Sequence, residues 1–568
     1  MEPKVIGFLF TVIKRVFVKS VYRKVPYKVF NFCHRQGTIL MAQKIKQLVH
    51  SGVIIPTYEP KGFKILYKRE GLLLAPEVEE MAVAWVKKLG TDYVKDPVFV
   101  KNFSKDFSRA LGIKPPAKME NFDFSEIIRW VENEKIAKEN MSREERKALA
   151  EARKKIREAN KERYGYAVLN GERVEIGYTV EPPSIFMGRG KHPLRGRWKP
   201  RIDYEDVVIN LSPDAPTPTP PSGGRWKERV FDPHGMWVAK WQDKLSGKKY
   251  LWIADTARFK QEREIEKFDK ARELGGLVEM VRQHIELGLA SEDIEQRKIA
   301  TVCYLIDNLK MRVGDEKGKD EADTVGATTL RGSHVEIDHS GRVKFDFLGK
   351  DSVRWVGVIR PPAQVVSNLE SFIGDSRAPI FSGVRSEHVN AFLGQVMPGL
   401  TAKVFRTYHA SKVAGEYLAN SKVRPKDTDF EKNYAAKMAN LEAAITCHHK
   451  RKLPKNWKKS LEKKVNRLKA LKEKLKETKE RPRSRTRAKR IKSLRGRMRA
   501  ATLKVKLTKA TRDYNLSTSL NSYIDPRLYV KWARGVSYDW KKIYLKTLQR
   551  KFAWADDAEV AASPGAHG

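Results

Sequence analysis

The stretch Ser519-Leu520-Asn521-Ser522-Tyr523-Ile524-Asp525-Pro526-Arg527, near the end of a 568-residue chain, sets a tyrosine among small polar residues just ahead of an Asp-Pro pair. Proline lacks a backbone N–H and restricts the residue before it, so a helix arriving from upstream stops here. A free tyrosine, with a pKa near ~10, is a poor nucleophile. It becomes a good one beside cations that favour the phenolate and stabilise the charge developing on the group it attacks. Such cations lie directly upstream, where residues 451–512 hold 27 Lys and Arg against four acids. Alone, Tyr523 reads as a structural aromatic; the rest of the chain turns the reading towards chemistry.

The basic segment carries a pattern. Leu461, Val465, Leu468 and Leu475, then Ile491, Leu494, Met498, Ala501 and Val505, recur at three-four spacing on either side of Pro482. This predicts two helices folded back as an antiparallel coiled coil over 455–512, a thin basic arm able to lie over duplex DNA. Beyond Tyr523, the apolar residues from Leu528 to Trp554 predict a small helical module that holds the tyrosine, with a frayed end after Ala561.

The whole chain has 113 Lys and Arg against 69 Asp and Glu, a formal net charge of +44. That excess points to a polyanionic partner, nucleic acid first. Twelve Trp and a 41% hydrophobic content separate it from a purely basic scaffold, and its length requires several cores. Cys33, Cys303 and Cys447 are too far apart for a disulfide framework or a zinc-ligand set, which fits a reducing intracellular compartment. The apolar run 5–13 is too short to span a bilayer and ends at Lys14 and Arg15. Residues 1–40 are therefore expected to form an amphipathic extension, packed on the body or lying against a surface, rather than a secretory signal.

Between residues 41 and 247 the pattern is mixed, with strand-like runs at 52–55 and 72–74. A charged helix over 142–163 is opened by the capping box Ser142-Arg143-Glu144-Glu145. In Phe186-Met187-Gly188-Arg189-Gly190-Lys191-His192-Pro193 the glycines free the backbone while Arg189, Lys191 and His192 point cations outward. The spacing is not that of an ATP-binding loop; a phosphate-touching loop and an ordinary basic turn both fit. The Pro-rich stretch 213–224 reads as an exposed loop or hinge.

From 248 to about 455 the pattern is mainly helical, with helices predicted over 259–289 and 294–311. The second carries a core stripe of Ile299, Val302, Cys303, Ile306 and Leu309 and stops at Gly314, leaving Arg312 at the end of a buried face. Residues 343–355 alternate as a hairpin with Gly349-Lys350-Asp351 at its turn, where Lys350 either reaches into a groove or is merely solvated. Another helix begins at Thr401 and carries Arg406 among apolar residues. Cys447-His448-His449-Lys450-Arg451 puts two histidines at a helix end without ligand-spaced neighbours, so a hydrogen bond to phosphate fits better than a metal.

Arg312, Lys350, Arg406, His449 and Tyr523 stand in an order that resembles the eukaryotic-type type IB DNA topoisomerases. The similarity rests on Phe345-Asp346-Phe347-Leu348-Gly349-Lys350-Asp351-Ser352, Ala322-Asp323-Thr324-Val325-Gly326, the segments 401–408 and 518–527, and Phe552-Ala553-Trp554-Ala555. Glu181-Pro182-Pro183 with Gly188-Arg189-Gly190 and His192-Pro193 is similar to the family's cap and DNA-clamping lip. The resemblance implies an α+β, multidomain, two-lobed clamp. Its parts would be an N-terminal extension (1–40), a mixed α/β DNA-binding cap (41–247), a mainly helical catalytic lobe of tyrosine-recombinase type (248–454), the basic coiled-coil linker (455–512) and a small helical domain carrying the tyrosine (513–568). It implies a monomer that closes on duplex DNA, preferably supercoiled, and relaxes supercoils of either sign without ATP or metal. Tyr523 would be the nucleophile, Arg312, Arg406 and His449 donors to the phosphate, and Lys350 the general acid. Arg189, Lys191, His192, Lys317 in a second lip near 314–323, Asp351 and Ser522 would contact DNA, with Arg189 and Asp351 paired near the cut.

Two features depart from the pattern. Ser522 stands where cellular eukaryotic members usually have Asn, and His448 occupies the middle of the family's Cys-Asn-His run, so that His449 takes the histidine role by register. The short apolar-basic start, in place of a long charged tail, is expected of an archaeal or otherwise divergent member. Two rival readings are a tyrosine recombinase, which would lack the cap motifs and the arm, and a non-catalytic, DNA-organising protein.

Overall fold

The computed structural model describes residues 45–314 and 324–561. The expectations for residues 1–40, for Lys317 and for the chain end beyond 561 lie outside these residues.

Two centres build the first lobe. In the helix Pro97–Ala110 the aromatic residues Phe99, Phe103 and Phe107 follow at four-residue steps, so one face is entirely aromatic. That face packs on Trp85, Phe122 and Phe124, and Phe103 stacks on Trp85 with ring centroids 4.7 Å apart. Asp96 starts this helix by accepting from Val98 N, with Pro97 at its first position. The second centre is a four-stranded sheet ordered Glu228–Val230, Val207–Asn210, Trp237–Asp243, Gly247–Trp252, over a core of Val207, Ile209, Ala239 and Trp241. Its last hairpin crosses the expected 247/248 boundary, so the first lobe's sheet runs to Trp252. The run 52–55 contributes only a bridge from Ile54 to Thr179, because Gly52 turns left-handed (φ +85°); the strand lies earlier, at Leu48–His50. The capping box at Ser142 and Glu145 is formed and opens the helix Arg143–Tyr164.

The helical lobe packs the helix Arg258–Leu289 against Ile294–Leu309 and Ala402–Ala419 around Leu274, Val281, Cys303, Ile306 and Phe405. The second of these helices does not run to Gly314. Lys310 adopts a left-handed conformation (φ 52°) and ends it at Leu309. The backbone beyond finds partners elsewhere: Arg312 O accepts from Ala327 N at 2.9 Å and Val313 O from Thr328 N at 2.8 Å. Arg312 thus sits past the helix, in a segment without regular secondary structure. The hairpin of Val343–Gly349 and Val353–Ile359 is antiparallel with Gly349 opposite Val353. Its turn is Lys350–Ser352, one residue later than expected.

The basic segment forms two helices, Trp457–Glu480 and Arg485–Ala510, reversed around Pro482. Leu468, Leu471 and Leu475 pack against Ile491, Leu494, Met498 and Ala501. The base of this hairpin is tied shut, with Arg451 N donating to Asp513 O (2.8 Å) and Asn515 N to His449 O (2.7 Å). The closure of the basic arm therefore ends on the residue next to Tyr523's pocket.

The first of these regions touches the rest of the chain at separate points. A Cβ on Gly190 (φ +61°) would lie 2.5 Å from Ser352 Cβ, so the 186–196 loop touches the tip of the Lys350 hairpin. Asp92 pairs with Lys455 (2.5 Å), and Glu175 with Arg550 (2.8 Å).

Candidate active site

The helix Ala402–Ala419 buries most of its surface, and Arg406, only 4% exposed, is buried with it. A guanidinium in such a place needs partners. Its Nη1 donates to Tyr523 Oη at 2.9 Å and its Nη2 to Cys447 O at 2.8 Å. The same Nη2 meets His449 Nε2 at 3.2 Å, and the guanidinium carbon lies 4.7 Å from the centre of the Tyr523 ring. Arg406 Nε is buried with no hydrogen-bond partner among the described residues.

His449 follows the turn after the helix Asp429–Thr446. Its Nδ1 lies 3.0 Å from the hydroxyl of the fully buried Ser519, and its ring centre 5.0 Å from that of Tyr523. Since Arg406 can only donate, Nε2 is the acceptor and the proton sits on Nδ1, donated to Ser519; the partners assign this tautomer. Burial, then the charges of Arg406 and Arg312 and the neighbouring His448, push the His449 pKa down to about 3, so the ring is neutral. His448 faces away. A left-handed backbone (φ 52°) turns its ring onto Trp355, 4.8 Å between centres, and its Nε2 lies 3.1 Å from Leu309 O. Of the two adjacent histidines, His449 is the one beside Tyr523.

Tyr523 ends the helix Leu516–Ser522 and is 6% exposed. Ser411 Oγ donates to Tyr523 O (3.1 Å) and accepts from Asp525 N (3.0 Å). Asp525, read from the sequence as part of a helix stop, is also an anchor: it caps the next helix and takes Arg527 Nη2 at 2.8 Å and Arg272 Nε at 3.0 Å. Arg312, Lys350, Arg406 and His449 line one opening, while Tyr523 lies behind Arg406 and does not. Lys350 is exposed and makes no hydrogen bond or ion pair among the described residues.

Of the other expected contacts, Arg189 and Lys191 are exposed at the tip of the 186–196 loop. That loop is strapped to the helix Pro97–Ala110 by Arg195 on Asp96, Arg197 on Asp106 (2.7 Å) and Asn102 on Pro193 O (2.9 Å). His192 is half-buried, its ring lies 4.8 Å from Phe186, and its Nδ1 accepts from Leu194 N, so it packs its own loop. Ser522 is half-buried, with its carbonyl 3.2 Å from Lys267 Nζ. The side chain of Asp351 and its pairing with Arg189 lie outside the described residues.

Residues 43–253 match the family model of the eukaryotic DNA topoisomerase I DNA binding fragment, 256–482 that of the catalytic core, and 495–561 that of the C-terminal topoisomerase domain. The chain is 38% identical to DNA topoisomerase 1 alpha of Arabidopsis thaliana, covering 91% of this chain and 59% of that protein. It is 34% identical to DNA topoisomerase I, mitochondrial, of Homo sapiens, covering 90% of each.

The chain belongs to the DNA topoisomerase I family.

It spans just over half the length of the plant and fly relatives, 59% of the Arabidopsis protein and 54% of DNA topoisomerase 1 of Drosophila melanogaster. Among its described residues, no helix is long and apolar enough to cross a membrane. In this topoisomerase I family chain, residues that carried no sequence motif support the site. Asp307, 2% exposed, holds His409 Nε2 at 2.6 Å and Arg282 Nε at 2.7 Å, and His409 is one turn along the helix from Arg406. Burial pushes the Asp307 carboxyl up, but hydrogen bonds from His409 and Arg282 outweigh it and hold it down at about 2. An acid whose folded pKa lies below its unfolded value of about 4 contributes stability above pH ~4, and that contribution is lost as pH falls through about 2. Asp307→Asn is expected to cost about 3 kcal/mol in urea unfolding at pH 7, the low end for a broken buried pair because Arg282 is half-exposed. The difference from the wild type should shrink towards pH 2; a constant difference would mean that the charge of Asp307 is not what holds the three helices.

Proposed function

We propose that this chain is a type IB DNA topoisomerase acting on supercoiled duplex DNA as a monomer. The observation that carries the reading is one buried guanidinium, that of Arg406, bonded to the Tyr523 phenol at 2.9 Å and beside His449 Nε2 at 3.2 Å. That guanidinium touches the attacking oxygen and is in place for the charge of a pentavalent phosphorus.

In the cleavage step Tyr523 Oη attacks a backbone phosphorus in line with the bond to the 5′-oxygen. The O–P bond forms, the P–O5′ bond breaks, and a 3′-phosphotyrosine and a 5′-hydroxyl result. The phenol proton leaves to solvent, and Lys350 supplies the proton that the departing 5′-oxygen takes. Arg406, through its unpartnered Nε, and Arg312 donate to the non-bridging oxygens. His449 joins them when its proton moves to Nε2. The Ser519 hydroxyl allows that shift, because it can accept from Nδ1 or rotate and donate to it. The phosphotyrosine keeps the energy of the broken bond, so religation needs no ATP.

On this reading the first lobe, residues 41 to Trp252, is the cap and the helical lobe up to about 454 is the catalytic lobe. Arg189 and Lys191 form one lip. The contact of Gly190 with Ser352 supports lobes that close around a duplex. The basic hairpin lies over the rotating downstream DNA and holds it by charge, so affinity falls steeply with salt.

Relaxation of negatively and positively supercoiled plasmid in EDTA without ATP tests the proposal. Both substrates are expected to be fully relaxed. A chain that binds plasmid in a salt-dependent way yet leaves both topoisomer distributions unchanged would instead be a DNA-organising protein on this fold.

A further inference from the structure

The last carbonyls of a helix have no partner within it. In the helix Leu516–Ser522 two of these belong to Asn521 and Ser522, the residues immediately before Tyr523. Each meets a lysine from a distant element. Lys551 Nζ lies 3.3 Å from Asn521 O and 3.2 Å from Asn521 Oδ1, and Lys267 Nζ lies 3.2 Å from Ser522 O. Neither lysine is a surface group: their side chains are 10% and 15% exposed. One carboxylate serves both, Glu264 Oε2 lying 2.8 Å from Lys267 Nζ and 3.4 Å from Lys551 Nζ. Asp255 stands 3.9 Å from Lys551 on the outer side.

Two ammonium groups brought out of water around one carboxylate are costly to assemble, and a core of ordinary stability does not need them. Their contacts fall on the backbone of residues 521 and 522. Downstream, the same backbone is held by Ser411 on Tyr523 O and by Arg272 on Asp525. The chain is thus gripped on both sides of Tyr523, and at the two carbonyls immediately before it the partners are lysines. Lys267 and Glu264 lie on the helix Arg258–Leu289, which packs against the helix that carries Arg406. Tyr523 and Arg406 are therefore referred to one rigid element.

We propose that Lys267 and Lys551, bridged by Glu264, are positioning residues for the reaction: they cap the helix that delivers Tyr523 and hold its phenol in register with Arg406. This rests on Tyr523 being the nucleophile. Loss of either lysine leaves the segment pivoting about Ser411, and a displacement of about 1 Å at a reacting atom can cost on the order of 100-fold in rate.

The test uses the full chain and a nicked duplex whose short 5′ piece departs after cleavage, so that covalent adduct accumulates in a single turnover. Lys267→Met and Lys551→Met keep side-chain length and lose the donors. They are expected to slow adduct formation roughly 10- to 100-fold, with duplex affinity unchanged. Lys551→Arg, which retains a cation and donors, should recover much of the loss. Adduct formation at the wild-type rate in both methionine variants would overturn the proposal, as would a loss of duplex affinity that accounts for the whole effect. Should a methionine variant fail to fold, Glu264→Gln carries the test, since it keeps the shape and releases the bridge. A slowing of about tenfold supports the proposal, and the wild-type rate overturns it. A wild-type chain that forms no adduct fails the functional reading itself, whereas wild-type adduct with unaffected variants fails only the positioning role.

Discussion

Tyr523→Phe is expected to bind duplex DNA as the wild type does and to relax none of it, with no protein–DNA adduct after denaturation. Removing a nucleophile outright costs on the order of 10^6-fold in rate. The substitution is mild for the fold. The ring keeps its place among Cys447, Ile524 and Tyr529 in the core beneath the site, and Ser411 holds the backbone of residue 523 whatever its side chain. What is lost is one hydrogen bond, leaving Arg406 Nη1 without its acceptor at a cost of about 1–3 kcal/mol. The melting temperature should fall slightly and salt-dependent affinity should persist. Relaxation by the phenylalanine variant would assign the nucleophile elsewhere and remove the foundation of the proposed mechanism.

Lys350→Ala is expected to lower the cleavage rate by roughly 10^2- to 10^4-fold on an ordinary phosphodiester, the range for loss of a general acid. Stability should hardly change, because Lys350 is exposed and makes no hydrogen bond or ion pair among the described residues. The distinguishing substrate carries sulfur at the bridging 5′ position. A thiol has a pKa near ~8.5 and leaves as a thiolate without being protonated, so this substrate should restore the variant to nearly the wild-type rate. Arg406→Ala should gain nothing from the sulfur, since its role concerns charge on the non-bridging oxygens and on the phenol. Equal defects of Lys350→Ala on oxygen and sulfur would make Lys350 a phosphate-binding cation rather than an acid.

The two predictions separate because the site has two walls. The tyrosine, Arg406 and His449 are buried on the helical side, where the fold sets their geometry before any ligand arrives. Lys350 stands exposed on a hairpin tip against the 186–196 loop. Arg406 Nε has no partner among the described residues, and His449 is neutral with its proton on Nδ1. Phosphate has to enter the opening and take donors that at present serve the phenol, a carbonyl and a ring nitrogen.

Local pattern was enough to read several elements of this chain. The spacing of Leu468, Leu475, Ile491, Leu494 and Met498 around Pro482 required two helices folded on each other, because apolar stripes on so basic a segment have only one another to cover them. The capping box at Ser142 and the hairpin around Lys350 were legible for the same reason: their determinants lie within a few residues. Chain order placed Arg406, His449 and Tyr523 in one motif set, and the fold brings those three into contact.

What depended on long-range contacts could not be read in this way. The 294–311 helix ends at Leu309 and not near Gly314 because the backbone after Lys310 pairs with residues 327 and 328, which no local pattern announces. The contact of the His192 ring with Phe186 has no local signal, and His448 and His449 differ only through the left-handed turn that sends one to Trp355 and the other to Tyr523. Asp307, Lys267, Glu264 and Lys551 form no motif, since each is a common charged residue that acquires its partners from helices far away in the chain. By itself the sequence determined which residues are available for chemistry and which local elements form around several of them. Only the tertiary structure decided which charges are buried, because burial and pairing are properties of the assembled core and not of any segment within it.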